Sequence, residues 1–242
     1  MKDGDGPGDG DPDGDGDGCG VLPGSIRPGG RTARVRASVL RAAGDALAEH
    51  GFAGLDLADV ASRAQVGRTT VYRRWGSAGA LVADLLVDMA EQSLARSRTG
   101  SLLGDLKENA RLVQRTLVDP RQGPLFRAIL AAAATDDSTA RALRRFYEIR
   151  VAEWAGCVDD AVERGEIPAG TDAREVVRAV SAPLYYRLLT TAEPPDETAA
   201  NRAAEGAFVA AHAGVYLRVR PGAPQPGAVG DPEPAGEHEV GR

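Results

Sequence analysis

The 242-residue chain has little of what protein chemistry usually draws on: three histidines, two cysteines, two methionines and only 5% aromatic residues. Cys19 and Cys157 lie far apart and share no ligand spacing with His50, His212 or His238. Neither a disulfide framework nor a metal site is therefore expected, and a reducing cytoplasm fits. Cys157 has no obvious histidine partner, so no nucleophile and base constellation forms, and no catalytic residues or cofactor are expected. No apolar run approaches the roughly 20 residues that a membrane span needs, and the N-terminus lacks the apolar core of a signal peptide. These absences point to a cytoplasmic protein that is neither an enzyme nor a membrane protein.

What the chain does have is alanine and leucine within a 43% hydrophobic content, enough for a buried helical core. Residues 1–30 are different. They are built from Gly, Asp and Pro, with seven aspartates against Lys2 and Arg27, and hold nothing that can bury apolar surface, so they are expected to be disordered. Asp11-x-Asp13-x-Asp15-Gly16 matches the first half of a calcium-binding loop, but its twelfth position is Leu22 rather than glutamate and no helices flank it. Residues 219–242 return to Pro, Gly and Glu and read as a second disordered tail.

The organising stretch is Leu57 to Leu81. Leu57, Val60, Ala61 and Ala64 share one helical face, with Asp56 as N-cap and Asp59 in the first turn. Gln65-Val66-Gly67 breaks the period, and Arg68 opens a second short helix whose inner face is Val71 and Trp75. Two short helices joined by a tight turn predict a helix-turn-helix. Arg68, Thr69 and Thr70 lead the second helix with groups that reach base edges, while Tyr72, Arg73 and Arg74 suit phosphates. From Arg27 to Ala80 nine arginines face four acids, a local +5 in a chain of net −6. A basic patch in an acidic protein is an electrostatic footprint for nucleic acid.

Ala64-Gln65-Val66, Gly67 to Trp75 (GRTTVYRRW) and Ala80-Leu81 together resemble the DNA-binding signature of the tetracycline-repressor (TetR) family, over about Arg34 to Leu85. Three positions depart from that pattern. Gln65 stands where the family usually has glycine, so a non-glycine residue is expected in left-handed backbone. Asp56 replaces the Ser or Thr that usually caps the second helix and touches phosphate. Ala78 replaces a common lysine that contacts the DNA backbone.

Further helices are expected at Thr32–His50, ended by Gly51, and at 78–96, carrying Leu81, Leu85, Leu86, Met89 and Leu94 inward. Others follow at 102–118, 138–164, 172–191 with Pro183 inside, and 197–217. Pro124 to Ala134 is apolar on most sides and is expected to be buried. Ala182 to Leu189 (APLYYRLL) resembles an element in the C-terminal domain of one TetR branch. With LLGDL at 102–106 and Arg164-Gly165-Glu166-Ile167, it extends the resemblance to about residues 32–218. The resemblance implies an all-α protein of about nine helices. A three-helix helix-turn-helix domain at 31–78 would precede a helical effector-binding and dimerisation domain at 79–218.

That architecture implies a homodimeric regulator, most often a repressor, released from a palindromic double-stranded DNA operator by a small-molecule effector. The sequence leaves the effector unidentified; Met89, Phe126, Tyr147, Arg150 and Trp154 are candidates to line its pocket, and ordinary core residues would read the same way. The last two helices would form the dimer interface through Leu184, Tyr185, Leu188 and Phe208. The alternative is a ligand-insensitive architectural DNA-binding protein, which would share the helix-turn-helix.

Overall fold

The computed structural model describes residues 30–92 and 95–218. Among them every regular element is a helix, nine in all, with one isolated antiparallel bridge between Thr171 and Leu217. The acidic stretch 1–29 with Cys19 and the calcium-loop-like aspartates, Leu94, and the tail 219–242 with His238 lie outside the described residues. The helices are α1 (Arg31–His50), α2 (Leu57–Arg63), α3 (Arg68–Arg74), α4 (Ala78–Glu91), α5 (Leu102–Val118), α6 (Gln122–Ala133), α7 (Asp137–Glu163), α8 (Ala173–Thr190) and α9 (Glu197–His212).

Short polar residues set most of these starts. Asp56, Ser77, Ser101, Asp136, Asp172 and Asp196 each accept a backbone N–H of the first turn of α2, α4, α5, α7, α8 and α9. Each such cap stabilises its helix by about 0.5–2 kcal/mol. Helices α1, α2 and α3 bury Val39, Leu40, Ala43 and Leu47 against Val60, Ala61, Val71 and Trp75. Behind them α4 packs on α7 and α6 on α1, while α5, α8 and α9 pack on one another. After α7 the chain turns at Gly165, φ +74°, where Glu166 N–H reaches back to Ala161 O. The Glu166 carboxylate then accepts from Leu102 N–H at 2.7 Å and Arg164 Nε at 2.6 Å, tying the start of α5 to the end of α7.

Three expectations need correction. α4 ends at Glu91 rather than near residue 96, because Arg96 turns aside to α7. Its N–H donates to Glu153 and its guanidinium pairs with Asp160 at 2.8 Å. α9 stops at His212, where Gly214 (φ +78°) diverts the chain so that Asp172 N–H donates to Tyr216 O at 2.7 Å. α6 starts at Gln122, since the Asp119 carboxylate accepts from the Arg121 and Gln122 N–H groups. α6 is also buried on one side only: Leu125, Phe126, Ile129 and Ala132 face in, while Pro124, Arg127, Ala131 and Ala134 are exposed. Alanine has too little apolar area to force its own burial. Pro183 sits within α8, which runs on through it.

Candidate nucleic-acid interface

The turn between α2 and α3 closes α2 in two hydrogen bonds: Gln65 N–H to Ser62 O at 3.1 Å and Val66 N–H to Ala61 O at 3.0 Å. This is the Schellman arrangement, whose left-handed residue is usually glycine. Here it is Gln65, the one described non-glycine residue at positive φ (+55°). Val66 packs on the core beside it, and Ser38 Oγ of α1 donates to Ala64 O at 3.1 Å, so the turn is held from below.

The α2 and turn geometry aims α3. Val71 and Trp75 are buried, leaving Arg68, Thr69, Tyr72, Arg73 and Arg74 exposed and Thr70 half-buried. The Trp75 indole N–H donates to Asp84 Oδ2 of α4 at 2.9 Å, and Arg36 of α1 grips Asp84 at 2.7 Å and Asp88 at 2.6 Å. Partial burial by itself would raise the Asp84 pKa. Hydrogen bonds from Arg36 and Trp75 outweigh it and hold the carboxyl below its ordinary value of 3.8. One carboxylate thereby joins α1, α3 and α4. The Arg74 guanidinium lies 5.1 Å from the Trp75 ring centroid.

Sequence reading missed Arg36, Asp84 and Asp88 as positioning groups. The available signal was Asp84 and Asp88 at i,i+4 on the otherwise apolar α4. The basic count also needs adjustment. Arg36 is neutralised by these aspartates and Arg63 by Glu49 and Asp59, each at 2.7 Å, so among the described residues of this segment the exposed arginines outside those pairs are Arg31, Arg34 and Arg41 on α1 and Arg68, Arg73 and Arg74 on α3. Asp56, besides capping α2 through Ala58 N–H at 2.9 Å, is exposed beside this surface, and Ala78 is the half-buried first residue of α4.

Two adjoining chambers lie behind α1 and α4. The outer, about 410 Å³, is lined by Met89, Phe126 and Arg150 among others. The inner, about 90 Å³, is lined by Phe126, Tyr147, Arg150 and Trp154. The structure thus brings all five of those sequence candidates around one cavity system. Asn109, Thr116 and Phe146, which the sequence reading did not place in a pocket, also line it, as does Tyr185, which was expected at a dimer interface. Burial lowers the Arg150 pKa and raises that of the Tyr147 phenol. Cys157 is buried and unbridged, its thiol pushed up to about 12 by burial, which makes it inert.

The residues assigned to a dimer interface are mostly turned into the protomer. Leu184 and Leu188 are 0% and 4% exposed within the protomer, and Tyr185 turns inward against Tyr147 and Phe126. Phe208 is half-buried and stacks on His212. Both faces of α8 are apolar, so residue type alone does not choose between them. The exposed face carries Tyr186 (68% exposed) and Leu189 (55%), with Val209 (63%) on α9 beside it. No described helix is long and apolar enough to cross a membrane.

Comparison with known proteins places these features in context. Residues 39–85 match the model of bacterial regulatory proteins of the tetR family, and residues 96–207 match the tetracyclin repressor-like C-terminal domain. The chain is 28% identical over 162 residues to the uncharacterized HTH-type transcriptional regulator YdeS of Bacillus subtilis, spanning 66% of this chain and 81% of that one. It is 30% identical over 148 residues to the HTH-type transcriptional regulator AqdR of Rhodococcus erythropolis, spanning 61% and 70%. Among solved structures, the TetR family transcription regulator SCO0332 superposes with a TM-score of 0.59 at 32% identity, covering 73% of this chain and 97% of that one.

Proposed function

Since the chain belongs to the TetR family of transcriptional regulators, which are not enzymes, we propose that it is a cytoplasmic homodimeric repressor that a small-molecule effector releases from a palindromic operator. The observation that carries the DNA-binding half is the orientation of α3. Its apolar side is anchored through Val71 and the Trp75–Asp84 hydrogen bond, and its opposite side offers Arg68, Thr69, Tyr72, Arg73 and Arg74 to solvent. Arg68 and Thr69, at the leading end, read base edges; Tyr72, Arg73 and Arg74 bind phosphates.

Support for the dimer comes from the outward faces of α8 and α9. Tyr186, Leu189 and Val209 are large apolar residues standing in water, beside a shallow groove lined by Ala179, Pro183, Ala203 and Gly206. Small residues there permit close helix approach, and a second copy would remove the apolar area from water. Residues 31–78 form the DNA-binding domain in this reading and 79–218 the body. The chambers support the effector half, because the outer one is walled by α1 and α4, the helices on which α3 is mounted.

Selection of bound sequences from random DNA tests the proposal. A single palindrome with half-sites roughly one helical turn apart, or slightly more, is the expected result. Broad coverage without a motif would instead favour a ligand-insensitive architectural binder.

A further inference from the structure

The inner chamber has a specific lining. Four of its aromatic rings form a closed collar: Phe126 to Phe146 at 5.9 Å between centroids, Phe146 to Tyr147 at 5.3 Å, Tyr147 to Tyr185 at 5.6 Å and Tyr185 back to Phe126 at 6.4 Å. Two further lining residues, Trp154 and Asn109, are 3% and 4% exposed. The indole Nε1 of Trp154 and the Oδ1 of Asn109 have no hydrogen-bond partner in the protein. Buried polar atoms left this way carry a desolvation penalty that a partner would remove. Arg150 is the sole charged side chain in this lining, and the Glu153 carboxylate acts on it from outside the lining. A guanidinium keeps its charge even when burial disfavours it.

We propose that the inner chamber binds one aromatic ring bearing a carboxylate and a hydroxyl, that is, a hydroxylated aromatic acid. This rests on the reading of the protein as an effector-released DNA binder and names the chemistry of that effector. The ring packs against one side of the collar, where edge-to-face contacts with its members are available. The carboxylate accepts from Arg150 and from Trp154 Nε1, and the hydroxyl donates to Asn109 Oδ1. A hydrocarbon would leave Asn109 Oδ1 and Trp154 Nε1, and the equally unpartnered Tyr147 hydroxyl, unpaired, and a cation would meet Arg150. About 90 Å³ holds several waters or about one six-membered ring. Larger substituents pass between Phe126, Phe146 and Arg150, which line both chambers, toward α1 and α4.

Isothermal titration of the full chain with the three hydroxybenzoates, benzoate, phenol, toluene and cyclohexanecarboxylate tests this. At least one hydroxybenzoate binds with a Kd of about 100 μM or tighter. Benzoate binds roughly tenfold more weakly for want of the Asn109 partner, and cyclohexanecarboxylate and toluene more weakly still. Arg150→Met weakens the acids about tenfold or more but leaves phenol unchanged, which also reports an intact chamber; Arg150→Lys keeps the preference for acids. Thr116→Trp, which fills the junction of the two chambers, abolishes binding.

Failure of every hydroxybenzoate at millimolar concentration overturns the inference, as does acid binding that survives both Arg150→Met and Thr116→Trp. Gel-shift release from the selected DNA separates this from the functional reading. Acids that bind in the chamber without releasing DNA would support the ligand chemistry and count against effector release. Release by a neutral or cationic compound, blocked by Thr116→Trp while no acid binds, would support effector release and overturn the acid.

Discussion

Gln65 holds a backbone conformation that costs a side-chain-bearing residue about 1 kcal/mol, because its Cβ crowds the following carbonyl at φ +55°. The two backbone hydrogen bonds of the turn and the packing of Val66 keep it there. Gln65→Gly should therefore raise unfolding stability by about 0.5–1 kcal/mol in a urea titration, with α3 left in place; lower stability would mean the glutamine side chain contributes something else. Substitutions at Arg68 and Ala78 test two proposed kinds of DNA contact on neighbouring parts of one motif. Arg68→Ala should lose about 1–3 kcal/mol on the operator and relax preference at one base pair per half-site. Ala78→Lys should strengthen binding to all sequences alike and steepen the salt dependence by about one counterion per subunit. Binding measured on operator and random DNA across a salt series checks both. Asp84 adds a pH dependence. Its pKa is lower folded than unfolded, so its contribution is present above about pH 4 and is lost as the pH falls through the folded pKa. Asp84→Asn should flatten that part of the acid unfolding profile and, by loosening Trp75, weaken DNA binding at neutral pH. An acid profile identical to wild type would remove Asp84 from this role.

At the scale of elements, α8 presents two apolar faces with different tasks. Val176, Val180, Leu184 and Leu188 fill the protomer core; Tyr186 and Leu189 point away from it. Leu188→Ala should lower the stability of the fold by about 2–5 kcal/mol through the cavity it leaves, without selecting against the dimer. Leu189→Glu should do the reverse, leaving the secondary structure intact while a pair of desolvated carboxylates opposes association. Analytical ultracentrifugation beside thermal unfolding distinguishes them, and a Leu189→Glu dimer that persists at micromolar concentration would move the interface off this face. α4 shows how such assignments arise. Its apolar positions were legible as one helical stripe, but Asp84 and Asp88 looked like solvent-facing charges until α1 supplied Arg36 from 48 residues earlier in the chain. The end of α4 was likewise set from outside, by the Arg96–Asp160 pair, and no local stop signal marked it.

Across the whole molecule, charge is unevenly placed: a net −6 chain carries a local +5 from Arg27 to Ala80 and seven aspartates within its first 30 residues. Removing residues 1–28 should leave the thermal midpoint within a degree or two. It should tighten non-specific DNA binding at low salt, because fewer carboxylates compete near the phosphates, and the gain should fade as salt rises. An affinity unchanged at low salt would show that this segment stays clear of the DNA.

Most of the helices, the Asp56 cap, the helix-turn-helix and the left-handed turn at Gln65 were legible in the sequence, because each depends on residues within a few positions of one another. The outward side of α3 was legible for the same reason: with Val71 and Trp75 inward, the helical period leaves Arg68, Thr69, Tyr72, Arg73 and Arg74 outward. Which apolar face of α8 is core, what Asp84 binds, and how Asn109, Phe126, Phe146, Tyr147, Trp154 and Tyr185 meet around one chamber were decided only by tertiary packing. Those contacts join four helices spread over more than 70 residues, and nothing in the local period records which helix will lie opposite.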